Sequence, residues 1–296
     1  MNCFSKYFRL PVALFTLLIY NLNISGQTDL NKSVTNDTLS GSGDSPKHSL
    51  YAAAGYGSNM VYLGSSISNN LPFYSAAISY GFRNSLYISA SATHLAATQP
   101  WLAFINLSAN YSHTFNSWFD ISADVAGYVT HKNLQDSLFS NFGFLGLTTG
   151  FDWKILYTRV SVNGILSDGI KGYILVTNSR YFQTPEFFGG KAFLSFNPDF
   201  SILSGEIIKI ETITGVKKYG LSPPFRHFKK NSIIPTDSYK SQFGLIDFEF
   251  SLPVTLNFRT ISIEAEPSYI LPAYKNSEYP APEGFSFYLS VFVKIF

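Results

Sequence analysis

Phe285–Phe296, FSFYLSVFVKIF, ends the chain, and its reading decides the fold. Taken two residues at a time, Phe285, Phe287, Leu289, Val291, Val293 and Ile295 make an unbroken apolar face, while Ser286, Tyr288, Ser290, Phe292 and Lys294 make a mixed one. Side chains alternate across a strand, so this pattern describes a strand with lipid on one side and a wetter space on the other.

The alternation recurs upstream in segments of about ten residues, the length a tilted strand needs to cross a bilayer. In Phe73–Phe82 the residues Tyr74, Ala76, Ile78, Tyr80 and Phe82 oppose Ser75, Ala77, Ser79 and Gly81, and Arg83-Asn84 then permits a tight hairpin into Ser85–His94. A second pair turns at Asn116-Ser117, with Ile105, Leu107, Ala109 and Tyr111 before it and Phe119, Ile121, Ala123 and Val125 after it. A third turns near Trp153-Lys154. A soluble sandwich would also alternate, but its exposed face would be charged. Here the second face is Ser, Asn and Gly with scattered acids, which suits a water-facing lumen. Strands are expected near residues 48–58, 72–82, 85–95, 102–114, 117–129, 140–152, 155–166, 189–202, 205–216, 241–252, 259–271 and 285–296. The fold class is therefore all-β, a transmembrane antiparallel up-and-down barrel of about twelve strands. Residues 167–204 leave ten or fourteen open, because Gly172–Thr177 also reads as a strand and Asn197-Pro198-Asp199 as a turn or a bulge.

Composition agrees: of 296 residues, 17% are aromatic and only 14% charged, as expected where an outer wall meets hydrocarbon. Beyond the N-terminus no apolar run is long enough for a spanning helix, which leaves a closed barrel as the way to span. Lys6 and Arg9, the apolar run Pro11–Tyr20 and the small residues at Ser25-Gly26 read as a secretory signal over 1–26. Residues 27–47 are polar and aperiodic and read as a disordered periplasmic lead-in to a barrel over 48–296. Cys3 precedes the apolar run, so the chain after the signal has no cysteine and no thiol chemistry. It carries 19 basic and 19 acidic side chains, a balance that argues against a nucleic-acid partner.

The terminal strand closing on Phe296 resembles the last strand of bacterial outer-membrane β-barrels, whose assembly machinery favours a terminal Phe. Phe296 falls in the phase of Lys294, so a bulge or an end distortion is expected there. The resemblance rests on alternation, short turns and the terminal aromatic, and it spans the signal and residues 48–296. It implies a Gram-negative outer-membrane location with both termini periplasmic, short turns on that side and long connections outside. The implied partners are outer-membrane lipid, lipopolysaccharide and, during biogenesis, the assembly machinery.

The most informative constellation is acidic. With Ile246, Phe248, Phe250 and Leu252 toward lipid, Asp247 and Glu249 point inward; with Ile261, Ile263, Ala265 and Tyr269 toward lipid, so do Glu264 and Glu266. A turn between Thr255 and Asn257 would set Glu249 opposite Glu264 and Asp247 opposite Glu266. Like charges across a ladder repel, so counter-charges are expected from Lys294, Lys209 or Arg159, unless the last answers Asp120, Asp124 and Asp152 instead. The cluster reads either as a paired internal plug or as a lumenal site for a cation or a polar solute. No spacing fixes a metal, and no cofactor is implied.

Two connections stand out. Val216–Lys240 carries Lys217, Lys218, Arg226, Lys229 and Lys230, and reads as an outer loop contacting lipopolysaccharide phosphates or as a loop folded inward onto the acids. Asn178–Phe188 combines Arg180 with Tyr181, Phe182, Phe187 and Phe188, and reads as a membrane-rim girdle or a stacking platform in an outer loop. None of the five histidines belongs to a recognisable hydrolase run, so a lipid-modifying enzyme is the least supported reading. Two readings lead: a small porin-like channel or solute-binding barrel with an acidic lumen, and a plugged structural barrel whose outer loops bind polysaccharide or a partner protein. Ser75, Ser79, Ser89, Ser91, Ser108 and Gly146 favour an open lumen; Tyr87, Phe144, Tyr157, Tyr288 and Phe292 favour a filled one.

Overall fold

The computed structural model describes residues 48–68, 70–96, 98–135, 140–167, 169–211, 217–221, 238–273 and 282–296. The segments read as signal and lead-in lie outside the described residues. Strands β1 to β4 are His48–Gly57, Phe73–Phe82, Leu86–Leu95 and Phe104–Asn116. Strands β5 to β7 are Phe119–Thr130, Phe142–Asp152 and Tyr157–Ser167. Strand β8 is Gly169–Ser179 continued by Phe182–Gln183, and β9 is Phe193–Phe196 continued by Asp199–Glu211. Strand β10 is Ser238–Ser251 continued by Val254–Asn257, followed by β11, Ile261–Pro272, and β12, Gly284–Lys294. Each pairs antiparallel with its neighbour in sequence, and β12 pairs back onto β1 through Ala53↔Phe292. The barrel is closed. Closure leaves no unpaired edge for lipid to meet, which is what allows strands to stand in hydrocarbon.

Twelve strands is the number expected, but two of them fall elsewhere than expected. Residues 169–179 form a strand hydrogen-bonded to β7 from Gly169↔Ser167 to Ser179↔Tyr157. The turn expected near 203–204 does not exist; Asp199–Glu211 runs straight through it. Pro198 and Pro253 explain the ambiguity. Each lacks a backbone N–H, so β9 and β10 are interrupted side by side, and the ladder resumes with Phe196↔Val254.

An even strand count puts both ends of the chain at one rim, here called the near rim. The connections at 83–85, 117–118, 153–156 and 258–260 are there too, and Arg83 and Asn84 take the left-handed φ of 51° and 54° that a two-residue hairpin turn requires. The far rim receives the connections at 58–72, 96–103, 131–141, 212–237 and 273–283. Outward positions are apolar along the whole wall: Tyr74, Ile78, Ile88, Leu107, Val125, Leu147, Val162, Phe250, Leu289 and Val291 are all exposed. Aromatic residues ring both edges of this band. Phe115, Phe119, Phe151 and Trp153 stack in sequence near one rim, and Tyr56, Tyr74, His94 and Trp101 near the other. Such girdles mark the two headgroup levels of a membrane barrel. At the closing strand, regular pairing ends at Lys294, and Ile295 and Phe296 both stand exposed.

Candidate functional site

The connection between β1 and β2 turns into the lumen instead of away from it. Val61–Tyr62 and Ser65–Ser66 pair as a short ribbon whose tip, Leu63-Gly64, takes φ of 47° and 76°. Its own polar groups hold it. Asn59 Oδ1 accepts from Ser66 Oγ at 2.7 Å and Ser68 Oγ at 3.0 Å, and Ser68 Oγ accepts from the Met60 amide at 2.9 Å. With the backbone satisfied internally, Met60, Tyr62, Leu63 and Ile67 are free to bury their side chains. On one wall the Tyr62 ring lies 5.9 Å from Tyr128 and 6.1 Å from Phe142. At the opposite wall the tip packs on Ile246, beside Asp247. Burial raises the pKa of the Tyr62 hydroxyl, so it stays neutral. The far mouth of the lumen is therefore narrowed by an apolar layer, completed by Phe73, Phe104, Ile165, Tyr173 and Leu203.

Below that layer, polar side chains share the lumen with the inward rings of Tyr51, Tyr87, Tyr288 and Phe292. Asp247, Glu249, Glu264 and Glu266 all point inward and are buried, as the alternation required. Their pairing differs from the expectation. Strand β10 continues past Pro253 to Asn257 and the turn lies at 258–260, so Thr255 faces Glu264, while Glu249 faces Ile270 and Asp247 faces Pro272. The carboxylates are staggered along the wall instead of opposed across it. A second correction concerns Ile246, expected toward lipid. The register steps from Leu203↔Asp247 to Ser204↔Leu245, so Ile246 is an extra, bulged residue that turns inward and meets the ribbon.

Hydroxyls and one further acid surround the group. Thr255 Oγ1 donates to Glu264 at 2.9 Å, and Ser251 Oγ donates to Asp199 at 2.5 Å. Asp199 is inward and buried, close enough to interact electrostatically with Glu249 and Glu266. Sequence reasoning missed it because Asn197-Pro198-Asp199 read as a turn or a bulge, with no side assigned to Asp199. The ribbon was missed as well; four large apolar residues in a loop, Met60, Tyr62, Leu63 and Ile67, were the available signal.

The expected counter-charges are not brought to the cluster. Among the described residues no Lys or Arg forms an ion pair with Asp247, Glu249, Glu264 or Glu266; Lys171 pairs instead with Glu206, at 3.4 Å. Lys294 lies on β12 four residues from Ser290, the partner of Glu264, or about 13 Å toward the near rim. Arg159 interacts with Asp124 instead, beside Asp120, which accepts from the Tyr157 hydroxyl at 2.8 Å. The Lys209 side chain, those of Lys217 and Lys218, and Arg226, Lys229 and Lys230 lie outside what is described. Among the described residues no three acids or histidines converge as a metal's ligands.

The aromatic connection is placed differently from the expectation. Arg180 accompanies Pro198 in the ladder, Phe182 faces Phe196, and Phe187 packs edge-on against Phe188, all at the near rim with the chain ends. It is not one of the far-rim loops. Of the histidines, His48 bonds Tyr80, His94 bonds the Trp101 carbonyl, His131 caps Asn133 and His113 packs on Phe115. Those partners are rim structure.

A closed barrel with an apolar outer band and two aromatic girdles has the architecture of a membrane-spanning β-barrel. Comparison narrows it no further: no family model and no curated protein matches the chain. Among solved structures it is similar to the NanC porin in its rhombohedral crystal form, with 10% identity over 83% of this chain and 100% of that one, at a TM-score of 0.42. LpxR from Salmonella typhimurium matches with 6% identity over 82% and 99% of the two chains, TM-score 0.46. A bacterial polysaccharide outer-membrane secretin matches with 8% identity over 84% and 98%, TM-score 0.40. At such values the likeness is one of architecture alone.

Proposed function

We propose that this protein is a narrow, porin-like barrel that admits cationic solutes, with the inner ribbon as its constriction and the acidic wall as its selectivity element. The observation that carries the reading is the set of four buried carboxylates without a cationic partner among the described residues. Groups of one sign concentrated on a low-dielectric wall attract the opposite sign and repel their own. Retaining them inside a barrel is costly unless a cation visits. The basic connection between β9 and β10 belongs to the far rim, where Lys217, Lys218, Arg226, Lys229 and Lys230 are suited to lipopolysaccharide phosphates; that rim then faces outward and the termini face the periplasm.

The test is conductance of the refolded protein in a planar bilayer under a salt gradient. Cation-selective current is expected, with selectivity falling several-fold when Asp247→Asn, Glu249→Gln, Glu264→Gln and Glu266→Gln are combined. A second reading, a permanently plugged structural barrel, is favoured by the tight apolar seat of the ribbon. Silence of a folded barrel even after residues 59–70 are replaced by a short Gly-Ser linker would establish that reading instead.

A further inference from the structure

Laid on the pairing register, the interior acids form a ladder. Glu264 stands level with Thr255 on β10 and Ser290 on β12; Glu266, two residues on, stands level with Tyr288. Two residues further, Ser268 faces Ser251, which in turn faces Asp199. The next level joins Ile270 to Glu249, and the one after it joins Pro272 to Asp247, directly beneath the ribbon tip. Each step is two residues of strand, or about 7 Å, so the rungs from Glu264 to Asp247 cover about 27 Å of wall. The spacing is regular because alternation returns every second side chain to the same face.

The lowest rung has a second mark of a ligand. Ser290, 1% exposed and facing Glu264, has a hydroxyl oxygen with no hydrogen-bond partner. A buried polar group in that condition costs free energy unless something else in the lumen completes it. The acids are too far apart to share one metal ion, and no three of them converge among the described residues. Glu264 and Glu266 stand one step apart on β11, Glu249 and Asp247 one step apart on β10, and Asp199, on β9, is level with the gap between the two pairs; what matches carboxylates set in such steps along one wall is a flexible chain of cations.

We propose that the ladder binds a linear polyamine, a chain of ammonium groups separated by short methylene spacers, extended along β10 and β11 with successive ammonium groups on successive carboxylates. This rests on the reading of the barrel as a cation-admitting one and names the class of solute. A monoamine would engage one rung and gain little from the rest. A tetra-amine engages several at once, and each additional contact is intramolecular.

The experiment is calorimetric titration of the detergent-folded protein with spermine, with butylamine and magnesium chloride as controls, alongside the bilayer recordings. Spermine is expected to bind, to do so far more tightly than butylamine, and to lose about tenfold in affinity for each of Glu249→Gln, Glu264→Gln and Glu266→Gln. The resistance of the unheated barrel to denaturing electrophoresis certifies that each variant is folded, and Ser290→Ala, which removes no charge, supplies a milder one that should weaken spermine binding several-fold. Equal affinity for spermine and butylamine, or spermine affinity unchanged in the folded Gln variants, overturns the ladder. Cation-selective conductance indifferent to spermine also overturns it while leaving the channel reading in place. Spermine binding to a barrel that never conducts sustains the ladder and removes the channel.

Discussion

Gly64 sits at φ +76° at the ribbon tip, where a Cβ would overlap Ile246 Cγ2 and come within 3.0 Å of Asp247 Oδ2. Two separate penalties protect the position. A β-branched residue at that φ costs about 1–3 kcal/mol in the backbone, and packing extra methyls against Ile246 costs about 1–3 kcal/mol more. Gly64→Val is therefore expected to unseat the ribbon without opening the barrel wall, because the twelve-strand ladder does not depend on it. Limited proteolysis should show cleavage within 58–72 in the variant and not in the parent, with the electrophoretic signature of the folded barrel retained. Cleavage equal in both would mean that the ribbon is not held by its tip. A neighbouring glycine carries the same logic lower in the lumen: a Cβ at Gly55 would collide with the Tyr288 hydroxyl, which reaches across it toward Ser75 at 3.3 Å. Such glycines let large inward rings lie flat against the wall, which is how the lumen is filled by Tyr288 and its like.

At the scale of elements, the ribbon and the bulge in β10 belong together. The bulge at Ile246 turns an apolar side chain inward at the level where the ribbon tip arrives, and the ribbon supplies Leu63-Gly64 to cover it. A Cβ placed on Gly64 would lie 3.7 Å from the Cβ of Ile246, within the range a disulfide spans. Since Cys3 is the chain's one cysteine, Gly64→Cys with Ile246→Cys in a Cys3→Ser background is expected to lock the ribbon. If the ribbon is the constriction, conductance should drop on oxidation and return on reduction, and neither single variant should respond. Unchanged current in the oxidised double variant would place the constriction elsewhere. The bulge also shows where sequence reading stops. Alternation placed Asp247, Glu249, Glu264 and Glu266 inward from period two alone, because burial of one face depends only on parity. It could not supply their register. Parity survives a shift of any even number of residues, and the shift that Pro253 and the later turn at 258–260 introduce is even. One extra residue at Ile246 then reversed the parity for the apolar side chain that meets the ribbon tip.

For the whole molecule, closure in twelve strands ties the placement of every connection to the placement of the termini. The same count arose from a sequence reading that omitted β8 and divided β9, two errors that offset each other in number but not in geography. Omitting one strand reverses the side of every connection until the count recovers, which is why Arg180–Phe188 was assigned to the loops opposite the termini and stands beside them instead. The geography yields a topological prediction independent of any transport. Single cysteines placed at Lys229, between β9 and β10, and at Glu283, just before β12, should both react with a membrane-impermeant maleimide on intact cells, because both connections leave the far rim. A cysteine at Glu186 belongs to the opposite rim and should react only after the cells are opened. Labelling of all three in intact cells would contradict a closed barrel with its two rims on opposite sides of one membrane. Labelling of Glu186 alone would keep the barrel and invert it, turning the aromatic connection outward and the ribbon-capped mouth toward the periplasm. The acidic ladder would then open to the cell's exterior at Glu264, its rung nearest the termini, and solutes would meet the carboxylates before the ribbon.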